Sequence, residues 1–158
     1  MRSILCFGDS NTYGESPEGK GRYGRDERWP GRLQAALGPE YLVIEEGLNG
    51  RTTVWEDEGE QDKSGKKHLP MCLASHAPLD LVILMLGTND LKTRFHVTPS
   101  DIAFSAEQLV RLILTADNGR RPDKPRILLA APTFVRGRTF LGEVFGDRHE
   151  DSLRLGPL

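Results

Sequence analysis

Four short apolar runs restrict the folds open to this chain more than any other feature. Ser3 to Gly8, Tyr41 to Glu46, Asp80 to Leu86 and Arg126 to Ala131 are each bounded by turn residues and read as strands. None alternates cleanly between apolar and polar positions, as a strand with one solvated face would. The four therefore predict a parallel sheet covered on both faces. Helical patterns fill the intervals. Glu27 to Leu37 ends at Gly38, a suitable capping glycine, and Leu69 to His76 reads as a short helix ahead of Pro78. Pro99 to Ala116 is the best defined. Thr98 can cap it, Pro99 suits its first turn, Asp101 complements its dipole, and Ile102, Ala106, Leu109, Val110 and Ile113 form one apolar stripe. Strands alternating with helices predict a three-layer, doubly wound α/β fold.

The 158 residues suit one domain, and 37% apolar with 28% charged residues is the balance of a chain that buries a core. With Lys+Arg 21 against Asp+Glu 23, the net charge of −2 creates no field that favours nucleic acid or anionic lipid. No apolar run approaches the roughly 18 residues of a membrane span, and Met1 to Gly8 runs into the first strand without a signal-peptide layout. A soluble, cytoplasmic, self-associating (homo-oligomeric) protein is expected. Cys6 and Cys72 lie in apolar contexts without a CxxC pair, so buried thiols are expected, with no disulfide framework and no metal. Two loops are long, 11–26 and 50–67. The second carries the acidic run Glu56, Asp57, Glu58, Glu60 and Asp62, a pattern that usually marks solvated surface.

Ligands of open α/β sheets bind beyond the carboxyl ends of the strands. Three of those ends are unusual: Gly8-Asp9-Ser10-Asn11-Thr12, Gly47-Leu48-Asn49-Gly50-Arg51-Thr52 and Gly87-Thr88-Asn89-Asp90. Taken singly, each is a cluster of turn formers. Together they supply what acyl transfer needs: a hydroxyl nucleophile in Ser10, an approachable backbone N–H at Gly50 and an amide donor in Asn89.

These blocks, in this order, resemble the SGNH (GDSL-type) hydrolases. The stretches 44–53 and 78–90 resemble that family's arylesterase and acyltransferase branch. The resemblance implies a flavodoxin-like SGNH fold over residues 1–158 as a single domain. It also implies a serine esterase acting on small aryl or short-chain esters, by hydrolysis or acyl transfer, without a cofactor. Ser10 would be nucleophile and oxyanion N–H, Gly50 a second oxyanion N–H, and Asn89 the oxyanion side chain. Asn11 departs from the leucine usual after the nucleophile, a change expected to bear on packing or pocket polarity.

The family also implies an Asp-x-x-His block that orients and carries the general base. None of His68, His76, His96 and His149 has an aspartate three residues before it. The domain is therefore expected to be incomplete at its C-terminus, without the last strand, the last helix and the base-bearing loop. Apolar surface or an unpaired strand edge is expected in their place. His149, in Asp147-Arg148-His149, is the substitute base the chain offers. The competing expectation is a catalytically silent fragment or binding module that keeps the oxyanion pocket.

Two patterns are decoys. Gly19-Lys20-Gly21-Arg22-Tyr23-Gly24 matches a dinucleotide-binding glycine motif, but it does not sit at a strand-to-helix turn. His68, Cys72 and His76 share a four-residue spacing. Pro70 is expected to leave His68 outside the helix, and eight helical residues span about 12 Å, too far for one ion.

Overall fold

The computed structural model describes residues 1–119, 122–135 and 142–156. Part of the Arg- and Gly-rich loop after the fourth strand, 136–141, and the terminal Pro157 and Leu158 lie outside the described residues. In chain order the elements are β1 (Arg2–Gly8), α1 (Ser10–Tyr13), α2 (Trp29–Leu37), β2 (Tyr41–Gly47), α3 (Gly65–His76), β3 (Leu81–Met85), α4 (Pro99–Thr115), β4 (Arg126–Leu129), α5 (Gly142–Phe145) and α6 (His149–Arg154). Two 3-10 turns, Asn89–Leu91 and Thr93–Phe95, follow β3.

The strands form one parallel sheet in the order β2-β1-β3-β4. The side-chain period of two in β1 separates its two faces. Leu5 and Phe7 join Val82 and Leu84 under α3 and α4, while Ile4 and Cys6 join Val43 and Ile83 under Trp29, Leu33 and Leu37 on and beside α2. This is the expected three-layer arrangement. Burial pushes the Cys6 thiol up to about 12 and Cys72 up to about 11, so both remain protonated core residues.

α4 starts where expected, with a reciprocal cap. The Thr98 hydroxyl accepts from Asp101 N, and the Asp101 carboxylate accepts from Thr98 N. Three expectations need correction. α2 begins at Trp29 rather than Glu27, because Glu27 lies in a turn closed on the Gly24 carbonyl and Arg28 is extended, with Arg22, Arg25 and Arg28 converging on the half-buried Glu45 of β2. α3 begins at Gly65, four residues before Leu69, and so contains both His68 and Pro70. Its first N–H groups are satisfied from outside the helix, Gly65 N donating to Thr52 O at 3.0 Å and Lys66 N to Thr53 O at 2.8 Å.

The third correction is β4. It pairs with β3 as expected but is not buried, with Leu128 and Leu129 exposed by 51% and 53%. It is a sheet edge, and none of the described residues pairs with its outer side. A groove of about 600 Å³ runs beside it, lined by Ile102, Phe104, Val110, Leu129 and Leu155 among others. No helix among the described residues is long and apolar enough to cross a membrane.

Candidate active site

Because β1 lies between β2 and β3 and all three run parallel, their carboxyl ends form one rim. Gly8 pairs with Gly47 on one side and with Met85 on the other. The three residues singled out for acyl chemistry leave the sheet at these neighbouring ends. Ser10 opens α1 immediately after β1, Gly50 lies in the turn after β2, and Asn89 opens the 3-10 turn after β3.

The turn that presents Ser10 is capped by Asp9. Its Oδ1 accepts from Asn11 N at 2.9 Å and from Asn11 Nδ2 at 3.0 Å. The backbone of α1 rests directly on Gly47, where any Cβ would strike Thr12 and Tyr13. Asp9 is fully buried, and its Oδ2 has no hydrogen-bond partner among the described residues. Desolvation raises its pKa, opposed by the Asn11 bonds and by the neighbouring Thr88 hydroxyl. Asn11, the departure from the family pattern, closes this turn and accepts from Thr133 Oγ1 at 3.4 Å through its amide oxygen. Its polarity thus joins the nucleophile turn to the segment after β4.

Gly50 has φ +78°, a left-handed conformation that favours glycine. Its N–H donates to no protein group among the described residues. Asn89 is buried, and its Nδ2 donates to the Arg51 carbonyl at 3.0 Å. A carboxamide has two N–H groups, so one remains for a ligand. Arg51 connects all three strand ends. Its Nη1 donates to Gly8 O at 3.0 Å and also to Glu46 O, and its guanidinium lies 4.1 Å from the centroid of the Phe7 ring.

Beneath Asn89, Asp90 is fully buried and accepts from Thr53 N, at 3.1 Å to each carboxylate oxygen, and from Thr53 Oγ1. Desolvation drives its pKa up to about 6, Thr53 opposes this, and the charge of Asp9 adds to the rise. The acidic run is only partly solvated surface. Asp57 is 3% exposed and accepts from Lys92 Nζ at 3.3 Å, while Glu60 accepts from Lys92 at 2.8 Å and Arg94 at 3.2 Å. Glu60 Oε2 lies 2.5 Å from where a Cβ on Gly50 would sit, so this ion cluster borders the site.

The histidines go elsewhere. His149 presents Nδ1 to Val135 O at 2.6 Å and packs edge-on against Phe134. His76 pairs with Glu46 at 2.8 Å, and His68 lies 4.0 Å from Asp62. The Ser10 hydroxyl makes no hydrogen bond to any of the four among the described residues. The suggested metal face therefore divides between separate partners, and among the described residues no group of three His, Cys, Asp or Glu side chains is arranged to hold a metal ion. Gly19 to Gly24 forms a turn closed by a bridge between Glu15 and Arg22. The groove beside β4 does not include Ser10, Gly50 or Asn89.

Ser10, Gly50 and Asn89 stand at this rim as the sequence predicts, whereas Arg51, Asp90 and Lys92, which are tied to the same rim, are not singled out by the sequence. The available signal for Arg51 was an arginine directly after a turn glycine at a strand end.

The comparisons with known proteins agree with this fold. The model of the GDSL-like Lipase/Acylhydrolase family matches residues 6–154. Among solved structures, the M. smegmatis aryl esterase is 40% identical with a TM-score of 0.92, over 98% of this chain and 76% of that one. A carbohydrate acetylesterase family member from Sinorhizobium meliloti is 39% identical with a TM-score of 0.93, over 99% of this chain and 76% of that one. A curated relative, an acetylxylan esterase from Xylanibacter ruminicola, is 28% identical over 141 residues. That alignment takes in 82% of this chain, which spans 28% of the length of the relative.

Proposed function

The chain belongs to the GDSL-like lipase/acylhydrolase family, and from that premise we propose that it is the nucleophile-bearing part of a serine carboxylic ester hydrolase acting on short-chain, aryl or acetyl esters. The observation that carries this reading is the joining of three strand ends around Ser10, with Asn89 Nδ2 anchored on the residue next to Gly50. Ser10 Oγ attacks the ester carbonyl carbon while its proton passes to a base. The carbonyl oxygen becomes an oxyanion that receives hydrogen bonds from Ser10 N, Gly50 N and the remaining N–H of Asn89. Collapse expels the alcohol and leaves an acyl-serine, which water hydrolyses or a second alcohol accepts.

A specific observation also favours a second reading, a pocket that binds esters with little turnover. Ser10 Oγ has no imidazole partner among the described residues, and an unactivated serine is a weak nucleophile.

One experiment separates the two. p-Nitrophenyl acetate hydrolysis is measured for the 158-residue chain, for a version extended past Leu158 with an Asp-x-x-His segment, and for Ser10→Ala in each. The hydrolase reading expects Ser10-dependent turnover that rises by orders of magnitude in the extended version. Equal rates with and without Ser10 in both would reject it. Full turnover in the chain as it stands, lost in His149→Ala, would make His149 the base.

A further inference from the structure

We propose that Arg51 is the positioning residue of the oxyanion donors. A single buried guanidinium locks the Gly50 peptide and the Asn89 amide against the nucleophile turn. The inference rests on the hydrolase reading for its catalytic consequence, but not for its geometry.

Arg51 is 5% exposed although it carries a full charge. Burial of a charge is costly unless hydrogen bonds or opposite charges compensate it. The acceptors at Nη1 are the carbonyls of Gly8 and Glu46, at the carboxyl ends of β1 and β2. The guanidinium face also lies on Phe7, so a planar cation fits this space better than an ammonium. The side chain is thus fixed two residues from Ser10. Its own backbone completes the link. Arg51 shares a peptide bond with Gly50, its N–H donates to Leu48 O at 3.2 Å, and its carbonyl accepts the Asn89 amide. Rotation of that carbonyl would turn the Asn89 amide, and displacement of the same residue would loosen the Leu48-to-Arg51 turn that holds the Gly50 N–H. Without the anchor at Gly8 and Glu46, two of the three donors lose their common reference to Ser10. Displacements of about 1 Å at such a site cost on the order of a hundredfold in rate.

The test uses the whole 158-residue chain and has two arms. In the first, the Asn89 side-chain amide is followed by 15N NMR and assigned by its disappearance in Asn89→Ala. In the parent protein one amide proton is expected to exchange slowly. In Arg51→Met, exchange should accelerate at least about tenfold as the Arg51 carbonyl loses its orientation, with Arg51→Lys between the two. The Lys variant also decides the question if the Met variant does not fold. An Asn89 amide unchanged in a folded Arg51 variant would overturn the proposal.

The second arm is kinetic. Arg51→Met should lower kcat on p-nitrophenyl acetate about 10- to 100-fold with KM within about twofold, and the lysine should restore part of it. Arg51→Met should slow Asn89→Ala by a smaller factor than it slows the parent protein, because the part of its effect that runs through the Asn89 amide is already lost. Multiplying effects, or a loss confined to KM, would reduce Arg51 to a structural cation. If turnover proves independent of Ser10, the hydrolase reading fails, and the amide-exchange arm still decides the role of Arg51.

Discussion

Gly65→Ala provides a direct test of how α3 is tied to the site. In an ordinary helix interior this substitution stabilises a protein by about 0.5 to 1 kcal/mol, since alanine has less conformational freedom to lose. Gly65 is helical and its φ is not in the left-handed region, so backbone conformation alone predicts that gain. The surroundings predict the reverse. A Cβ at this position would lie 2.8 Å from Thr52 O and 2.9 Å from Thr53 O, both backbone atoms that cannot rotate aside. These same carbonyls accept from Gly65 N and Lys66 N, so relieving the contact stretches both bonds. Overpacking of this kind costs about 1 to 3 kcal/mol, and each weakened hydrogen bond adds a fraction of about 1 kcal/mol. The balance is a destabilisation of about 1 to 3 kcal/mol. With a urea slope near 2 kcal/mol per molar, the midpoint should fall by about 0.5 to 1.5 M. Ser100→Ala, on the exposed side of α4, serves as the control and should move stability by less than about 0.5 kcal/mol. A Gly65→Ala midpoint equal to or above the parent value would refute the close approach of α3 to Thr52 and Thr53.

Two further outcomes follow from the buried charges. Asp90, raised to about 6, keeps its proton in the folded state when the unfolded chain has already lost it. Its contribution to stability is therefore fully present below about pH 4 and is lost as pH rises through about 6. Asp9, shifted in the same direction, adds to that slope. Relative to the parent protein, Asp90→Asn should lose this decline between pH 4.5 and 6.5 in urea titrations, and an unaltered slope would count against the raised carboxyl. Lys92→Met leaves Asp57 with Arg94 as its remaining charged partner, at 3.0 Å, beside the Gly59 N–H, and should cost about 3 kcal/mol, the low end for breaking a buried pair. The 57–60 segment should then be cleaved faster by a protease at low dose, whereas unchanged stability would make the cluster dispensable.

The layered fold was legible because β1 and β3 bury both faces and so appear as uninterrupted apolar runs, whereas β2, read from the sequence as a buried strand, is the other edge of the sheet, with Leu42 39% exposed. β4 carries the same composition in Ile127, Leu128 and Leu129, but composition cannot tell a central strand from an edge. α1 was not foreseen, since its four residues are too few to show a helical period. The start of α3 was missed for a different reason: its first N–H groups are satisfied by Thr52 and Thr53, while the Ser64 hydroxyl at the N-cap position donates to Val54 O instead of capping the helix. The placement of Ser10, Gly50 and Asn89 at neighbouring strand ends was legible because each follows directly on an apolar run in the sequence. Arg51, Asp90 and Lys92 were not, since their roles depend on partners brought together only by folding, such as Asp57 with Lys92 and Asn89 with the Arg51 carbonyl.

The strand order also has a kinetic consequence. β1 is made first, yet it is hydrogen-bonded along both edges by strands that emerge much later. Arg2 meets Tyr41 across a separation of 39 residues, and Ser3 meets Asp80 across 77. Closing such distant loops is slow compared with forming local helices. During synthesis Leu5 and Phe7 must wait for their cover until β3 and α4 have left the ribosome, and for that interval their apolar side chains are open to association with other chains.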